Sequence, residues 1–491
     1  MNDGHRDGAR ISTGVSGLDE ILHGGLIAGR NYLVRGGPGT GKTTLGSHFL
    51  RGGDPARNLF VTLGETETQL RENGRRASLP LDAVSVLDLS PTNDEAGSGQ
   101  PYNLLESWEV EGGAIHDRVI DYTRQYAPER VFIDSLSQLR YLTPDAFQFR
   151  KQALSLLRHL TAAGATVLFT AEVDAGAGDD DLQFLSDGVL ELSRLASGRV
   201  CAVTKMRGSG FAEGTHYYGL GDGGMSVYPR LVPGNHSRDF VRESFGTGIP
   251  RIDSLMQGGI ERGTVTVLSG PSGVGKTSLG AHFMRQAARS GERSVIYSFD
   301  EGRSTFEHRL EQIGMPIADM LDSGELVFEY IEPLNYNPDR FALRVRDAVE
   351  RLGVQVVMLD SLSGYRQAVR GDDIAERIHA LCRYLANMGV TVILINETQS
   401  VAGSEFRATH DGISYLADSI VLLRYVELEG ELRKTIGVLK KRTGDFEKSL
   451  RAFEITPEGL QVGEPMRGLQ GVLRGVAEKN GHREDGGHGG D

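Results

Sequence analysis

Two hydrophobic periodicities alternate along the chain. Short unbroken runs of β-branched and aliphatic residues stand between longer stretches whose apolar residues return every three or four positions. The runs predict strands at Tyr32–Arg35, Leu59–Leu63, Val131–Ile133, Thr166–Thr170, Val189–Leu192 and Val200–Thr204. A second set follows at Val265–Ser269, Val295–Phe299, Val356–Leu359, Thr391–Ile395, Ile420–Leu423 and Ile436–Leu439. Strands apolar at every position are buried on both faces, and the intervening helices supply the cover. The expectation is an α/β fold, a mostly parallel sheet flanked by helices, made twice.

The duplication is legible residue by residue. Thr13-Gly14-Val15-Ser16-Gly17-Leu18-Asp19 is echoed by Thr247-Gly248-Ile249-Pro250-Arg251-Ile252-Asp253, a shift of 234 that also carries Gly36 to Gly270 and Lys42 to Lys276. Asp134 meets Asp360 at a shift of 226, and Lys205-Met206-Arg207 meets Lys440-Lys441-Arg442 at 235. Four blocks in one order mark a duplicated domain. The expected copies span 12–232 and 244–464, with a turn-rich linker at 233–243 around Pro233-Gly234-Asn235. Residues 1–11 and 465–491 read as flexible ends, the second rich in Gly, His and charge with little to bury.

Composition narrows this picture. A chain of 491 residues exceeds one ordinary core and suits two domains. Its net charge of −13 argues against a nucleic-acid partner, which a basic face would attract. Cys201 and Cys382 sit in apolar segments, as buried thiols of a reducing compartment do. The first residues lack an apolar leader core, and no run of about 18 apolar residues appears later. The reading is cytoplasmic, with no membrane span.

The chemistry starts at two glycine-rich turns. Gly36-Gly37-Pro38-Gly39-Thr40-Gly41-Lys42-Thr43 and Gly270-Pro271-Ser272-Gly273-Val274-Gly275-Lys276-Thr277 both satisfy G-x-x-x-x-G-K-[ST], each between a predicted strand and a helix. Glycines let successive backbone N–H groups converge on phosphate oxygens at a helix N-terminus, where the dipole favours anions. The candidate phosphate ligands are Gly37, Gly39, Thr40, Gly41, Lys42, Thr43 and Thr44, then Ser272, Gly273, Val274, Gly275, Lys276, Thr277 and Ser278. Lys42 and Lys276 would reach the terminal phosphates, and the Thr43 and Thr277 hydroxyls would ligate Mg²⁺. Asp134 and Asp360, each closing an apolar strand, would hold the Mg²⁺ shell through water.

Hydrolysis also needs a group that orients or deprotonates the attacking water. Glu65 follows the second strand of the first copy, and Asp300 and Glu301 follow that of the second. Acids are also favoured in the first turn of any helix, and the division of work within each pair stays open.

Taken together, these loops, strand-end acids and late Lys-x-Arg blocks resemble the KaiC family, RecA-like ATPases with two fused domains. The resemblance covers nearly the whole chain, Ser12 to Glu464, and is dense over Asp418–Glu427 and Gly437–Arg442. It implies tandem RecA-like domains, ATP as the nucleotide, and a double-ring homohexamer with ATP between neighbouring subunits. It further implies that Lys205, Arg207, Lys440 and Arg442 reach across the interface to a neighbour's γ-phosphate. The implied partners are signalling proteins: a small KaiB-like clock protein, a sensor kinase or a response regulator. Family members also phosphorylate themselves in the second domain, on an adjacent Ser–Thr pair.

The chain departs from that pattern twice. Ser414 falls on the serine position of the phosphorylated pair, but Tyr415 replaces the threonine. The family's two glutamates after the second strand are reduced to Gly64-Glu65 in copy one and Asp300-Glu301 in copy two. Two other readings therefore stand beside an ATPase and autokinase. One is a RecA-like nucleic-acid motor, disfavoured by the acidic balance; the other is a nucleotide sensor that hydrolyses little.

Overall fold

The computed structural model describes residues 9–90, 107–143, 145–172, 180–371, 373–398, 416–428, 430–466, 469–470 and 478–479. It falls into two compact units that divide after Arg230, each with its own sheet and core.

In the first unit a short ladder, β1 (Arg10–Ile11) with β2 (Leu26–Ile27), precedes the main sheet. The sheet contains β3 (Asn31–Gly36), β4 (Asn58–Thr62), β5 (Ser85–Asp88), β6 (Arg130–Asp134), β7 (Thr166–Glu172), β8 (Gly188–Leu195), β9 (Gly198–Met206), β10 (His216–Gly221) and β11 (Gly224–Tyr228). Their spatial order is β11-β10-β9-β8-β3-β7-β6-β4-β5. From β8 to β5 every pairing is parallel; β9, β10 and β11 add an antiparallel flank.

The second unit repeats this design. Its ladder joins β12 (Ser244–Phe245) to β13 (Ile260–Glu261). Its sheet runs through β14 (Val265–Gly270), β15 (Ser294–Ser298), β16 (Leu326–Tyr330), β17 (Val356–Asp360), β18 (Thr391–Glu397), β19 (Ser419–Leu428), β20 (Glu431–Lys441), β21 (Arg451–Thr456) and β22 (Gly459–Pro465). The order β16-β15-β17-β18-β14-β19-β20-β21-β22 matches the first sheet strand for strand.

Alternation explains the unbroken apolar runs. Tyr32 and Val34 of β3 pack with Phe49 and Phe132 on one face, while Leu33 packs with Phe149, Leu157 and Phe169 on the other. In β14, Val265 and Val267 join one core and Leu268 the opposite one. Each fully buried aliphatic or aromatic side chain contributes roughly 1.5–3 kcal/mol.

The last predicted strand of each copy differs from the parallel expectation. Val200–Thr204 lies in β9 and Ile436–Leu439 in β20, both antiparallel to the preceding strand. Only a turn ending at Gly198, whose φ is 138°, separates β8 from β9. So short a connection permits a hairpin and no parallel crossover.

Parts of the two ends expected to be flexible, and of the turn-rich linker, carry structure. Arg10 donates from Nη1 to the carbonyls of Leu22 at 2.8 Å and Gly25 at 2.9 Å, anchoring β1. In the linker, the Pro233 carbonyl accepts from Asn387 Nδ2 at 2.9 Å and His236 stacks edge-on against Tyr384. Leu469–Gln470 pairs with Glu478–Lys479 inside the expected tail.

Candidate functional site

Both glycine-rich loops leave the carboxyl end of the central parallel strand and open a helix, Lys42–Arg51 after β3 and Lys276–Arg289 after β14. The residue before each helix is a left-handed glycine, Gly41 at φ 91° and Gly275 at φ 112°. A Cβ at Gly275 would also lie 2.6 Å from Ile455 Cδ1, so this position tolerates neither the strain nor the bulk of a side chain.

The first loop borders a cleft of about 220 Å³ lined by Pro38, Gly39, Lys42, Thr43, Glu65 and Asp134, among others. Lys42 Nζ donates to the Gly36 and Gly37 carbonyls at 2.8 and 3.1 Å. Thr43 Oγ1 donates to Asp134 Oδ2 at 2.5 Å, and Thr170 Oγ1 donates to Oδ1 of the same carboxylate at 2.6 Å. Glu65 accepts from Asn73 Nδ2 at 3.2 Å. Thr40 turns inward, donating from Oγ1 to the Gly37 carbonyl at 2.8 Å. Thr44, Gly37 and Gly41 do not line this cleft.

The second cleft is larger, about 360 Å³, and its walls include Ser272, Gly273, Gly275, Lys276, Thr277, Ser278, Asp300 and Asp360. Val274 is fully buried in the core, so its backbone alone is left for a ligand. Thr277 Oγ1 donates to Asp360 Oδ1 at 3.1 Å, and Lys276 Nζ to the Pro271 carbonyl at 2.8 Å. Burial lowers the Lys276 pKa, opposed by Glu397 and Asp360. Burial pushes Asp360 up to about 6, opposed by the Thr277 hydroxyl and reinforced by Glu301.

The two acids after β15 part company. Asp300 lines the cleft and accepts from Ser361 Oγ at 3.1 Å; partial desolvation, with the Glu397 and Glu301 charges adding, raises its pKa. Glu301 is tied to Arg309 by a close ion pair and does not line the cleft.

The late cations turn elsewhere. Lys205 Nζ donates to the Gln183 and Ser186 carbonyls, both at 2.6 Å, and Arg207 lies 3.8 Å from Asp187. Lys440 Nζ donates to the Ala417 carbonyl at 2.6 Å, and Arg442 lies 3.2 Å from Asp418. None of the four lines the cleft of its own unit. Ser414 and Tyr415 lie outside the described residues.

Sequence reasoning passed over Gln138 in the first cleft and Arg309 and Glu397 in the second. Glu397 had a signal: it closes an apolar run, and β18 aligns it with Gly270 at the mouth of the loop. Arg309 and Gln138 had none, because each reaches its cleft from a helical segment.

The donor set fits a magnesium-bound nucleoside triphosphate. Each loop offers left-handed glycines, a lysine, and a hydroxyl on a carboxylate; the raised pKa of Asp360 marks a buried acid that a nearby cation would stabilise. Among the described residues, no helix is long and apolar enough to cross a membrane. A family model for the KaiC ATPase domain matches twice, at residues 11–232 and 245–467. The circadian clock oscillator protein KaiC of Parasynechococcus marenigrum (strain WH8102) is 27% identical over 96% of this chain and 93% of its own length. The protein of that name from Synechococcus elongatus shows the same figures, 27%, 96% and 93%. The circadian clock protein KaiC3 of Synechocystis sp. is 27% identical over 97% of this chain and 96% of its own.

Proposed function

Because the chain belongs to the KaiC family of ATPases, we propose that both clefts bind and hydrolyse Mg-ATP and that the second also transfers phosphate to the protein itself. The observation that carries this reading is the Thr–Asp pair under each loop lysine, Thr43–Asp134 and Thr277–Asp360. Thr43 and Thr277 would hold Mg²⁺ directly, with Asp134 and Asp360 acting through water; when bound, the ion supplies positive charge against the terminal phosphates. The loop N–H groups and Lys42 or Lys276 bind the β- and γ-phosphates and stabilise charge as it develops.

Water then attacks the γ-phosphorus in line. Its oxygen bonds to phosphorus, the bond to the β–γ bridging oxygen breaks, and ADP leaves with that electron pair. The water proton passes to a carboxylate. In the first cleft that base is Glu65, the acid on the wall besides the metal-shell Asp134. In the second it is Asp300, whose raised pKa brings it closer to a working base, while Glu301 is held by Arg309. For autophosphorylation the attacking oxygen is a side-chain hydroxyl, and Ser414 is the candidate acceptor.

Lys205, Arg207, Lys440 and Arg442 act in this reading on the neighbour's nucleotide within an ATP-assembled homohexamer. Signalling proteins, KaiB-like, sensor kinase or response regulator, would sense the ring's phosphorylation state. Lys42→Ala combined with Lys276→Ala should abolish steady-state ATP turnover. Undiminished turnover in that double variant overturns the reading. Mass spectrometry after incubation with Mg-ATP should place phosphate on Ser414.

A further inference from the structure

The two clefts carry a reciprocal exchange at one point in space. Copy one has Gly64 where copy two has Asp300, at the shift of 236 that also relates Glu65 to Glu301. Copy one has Gln138 where copy two has Gly364, at the shift of 226 that relates Asp134 to Asp360. The two positions face each other. A Cβ built on Gly64 would sit 2.7 Å from Gln138 Nε2, and one built on Gly364 would sit 2.7 Å from Phe299 Cβ and 2.9 Å from both Asp300 carboxylate oxygens. Whichever copy lacks the side chain after the second strand carries one on the segment opposite.

Neither glycine is needed for its backbone, since neither has positive φ. The exchange therefore concerns what fills the space. In copy two Asp300 fills it from the strand side; in copy one Gln138 fills it from the helical turn Leu136–Leu142. Gln138 lines the first cleft together with Lys42, Thr43, Glu65 and Asp134.

We propose that Gln138 is the positioning residue for the attacking water in the first cleft, standing where the absent acid of Gly64 would stand. An amide donates through nitrogen and accepts through oxygen, so it orients a water but takes no proton. With Asp134 assigned to the metal shell, the proton then goes to Glu65, the other acid on that wall. The first cleft splits between two residues, Gln138 and Glu65, the orienting and proton-accepting work that Asp300 does alone in the second. This assignment rests on the hydrolytic reading of the first cleft.

The test uses the full chain carrying Lys276→Ala, so that turnover reports the first cleft. Gln138→Ala in that background should lower kcat by at least about tenfold while leaving the affinity for a fluorescent ATP analogue within about twofold. Gln138→Gly with Gly64→Asp, which installs the second cleft's arrangement, should recover turnover to within about threefold of the Lys276→Ala parent. A kcat unmoved by Gln138→Ala overturns the proposal alone. So does an affinity loss that matches the kcat loss, which marks a packing role, or a double variant no better than Gln138→Gly. Absence of any turnover in the Lys276→Ala parent overturns the hydrolytic reading of the first cleft and the proposal with it.

Discussion

Asp360 sets binding chemistry against stability within one side chain. It is 7% exposed, accepts from Thr277, and sits near the charges of Glu301 and Asp300. Its carboxyl rises from 3.8 to about 6 in the fold, chiefly through burial. The folded protein thus binds this proton more tightly than the unfolded chain does. Between about pH 4 and 6 the group's contribution falls as pH rises, and at pH 7 the full penalty is present. By ~1.4 kcal/mol per pKa unit the penalty is on the order of 2–3 kcal/mol. Asp360→Asn in magnesium-free, nucleotide-free buffer at pH 7 should raise the thermal midpoint of the second unit. The same variant should lose Mg-ATP turnover at that cleft. A lowered midpoint by calorimetry would show that the ionised carboxylate stabilises the fold. The loop residues flanking this acid were legible because their spacing is local. The split between Asp300 and Glu301 was not, because it depends on Arg309, a helical residue eight positions further on.

At the level of elements, the two helices that follow the loops share a half-buried histidine, His48 in one and His282 in the other, at the shift of 234. Burial pushes His282 from 6.5 down to about 4, and the nearby Arg285 and Arg289 push the same way. His48 is lowered by burial and then by Arg51, while its Nε2 accepts the Met225 N–H at 2.9 Å, which requires a neutral ring. Both helices therefore fold around an uncharged imidazole. The unfolded chain takes up these protons first, so stability present above about pH 6.5 is lost as pH falls toward 4. His282→Gln should flatten the decline of the second unit's thermal midpoint between pH 7.5 and 5, and His48→Gln that of the first. An unchanged pH dependence in both variants would show that carboxylates alone govern it. The inner strands of each sheet announced themselves because both faces are buried. The edge strands did not: β5 is only partly buried along its length, and Gly219 and Gly221 interrupt β10. Polar or glycine-broken edges leave no apolar run to read.

On the scale of the whole molecule, the proposed role of four cations asks for neighbours. Lys205 and Lys440 donate to carbonyls of the segment that leads into the neighbouring strand, Arg207 and Arg442 face aspartates, and none lines its own cleft. In the proposed reading these cations act on another subunit's phosphate, and a ring supplies such a subunit at every interface. Sedimentation should then show a hexamer when Mg-ATP is added and a smaller species without it. A monomer under both conditions contradicts the ring. The sharper test divides the two halves of a site between variants. Arg207→Ala with Arg442→Ala should bind ATP but hydrolyse it poorly; Lys42→Ala with Lys276→Ala should keep its cations and lose its own turnover. Neither works alone. In rings formed from an equal mixture, an interface functions where an intact loop meets an intact cation from the next subunit, which happens at about one interface in four under random mixing. Mixing should therefore restore about a quarter of the parent turnover. Recovery near zero, in rings that demonstrably contain both variants, would mean that the cations serve their own chain or only its fold.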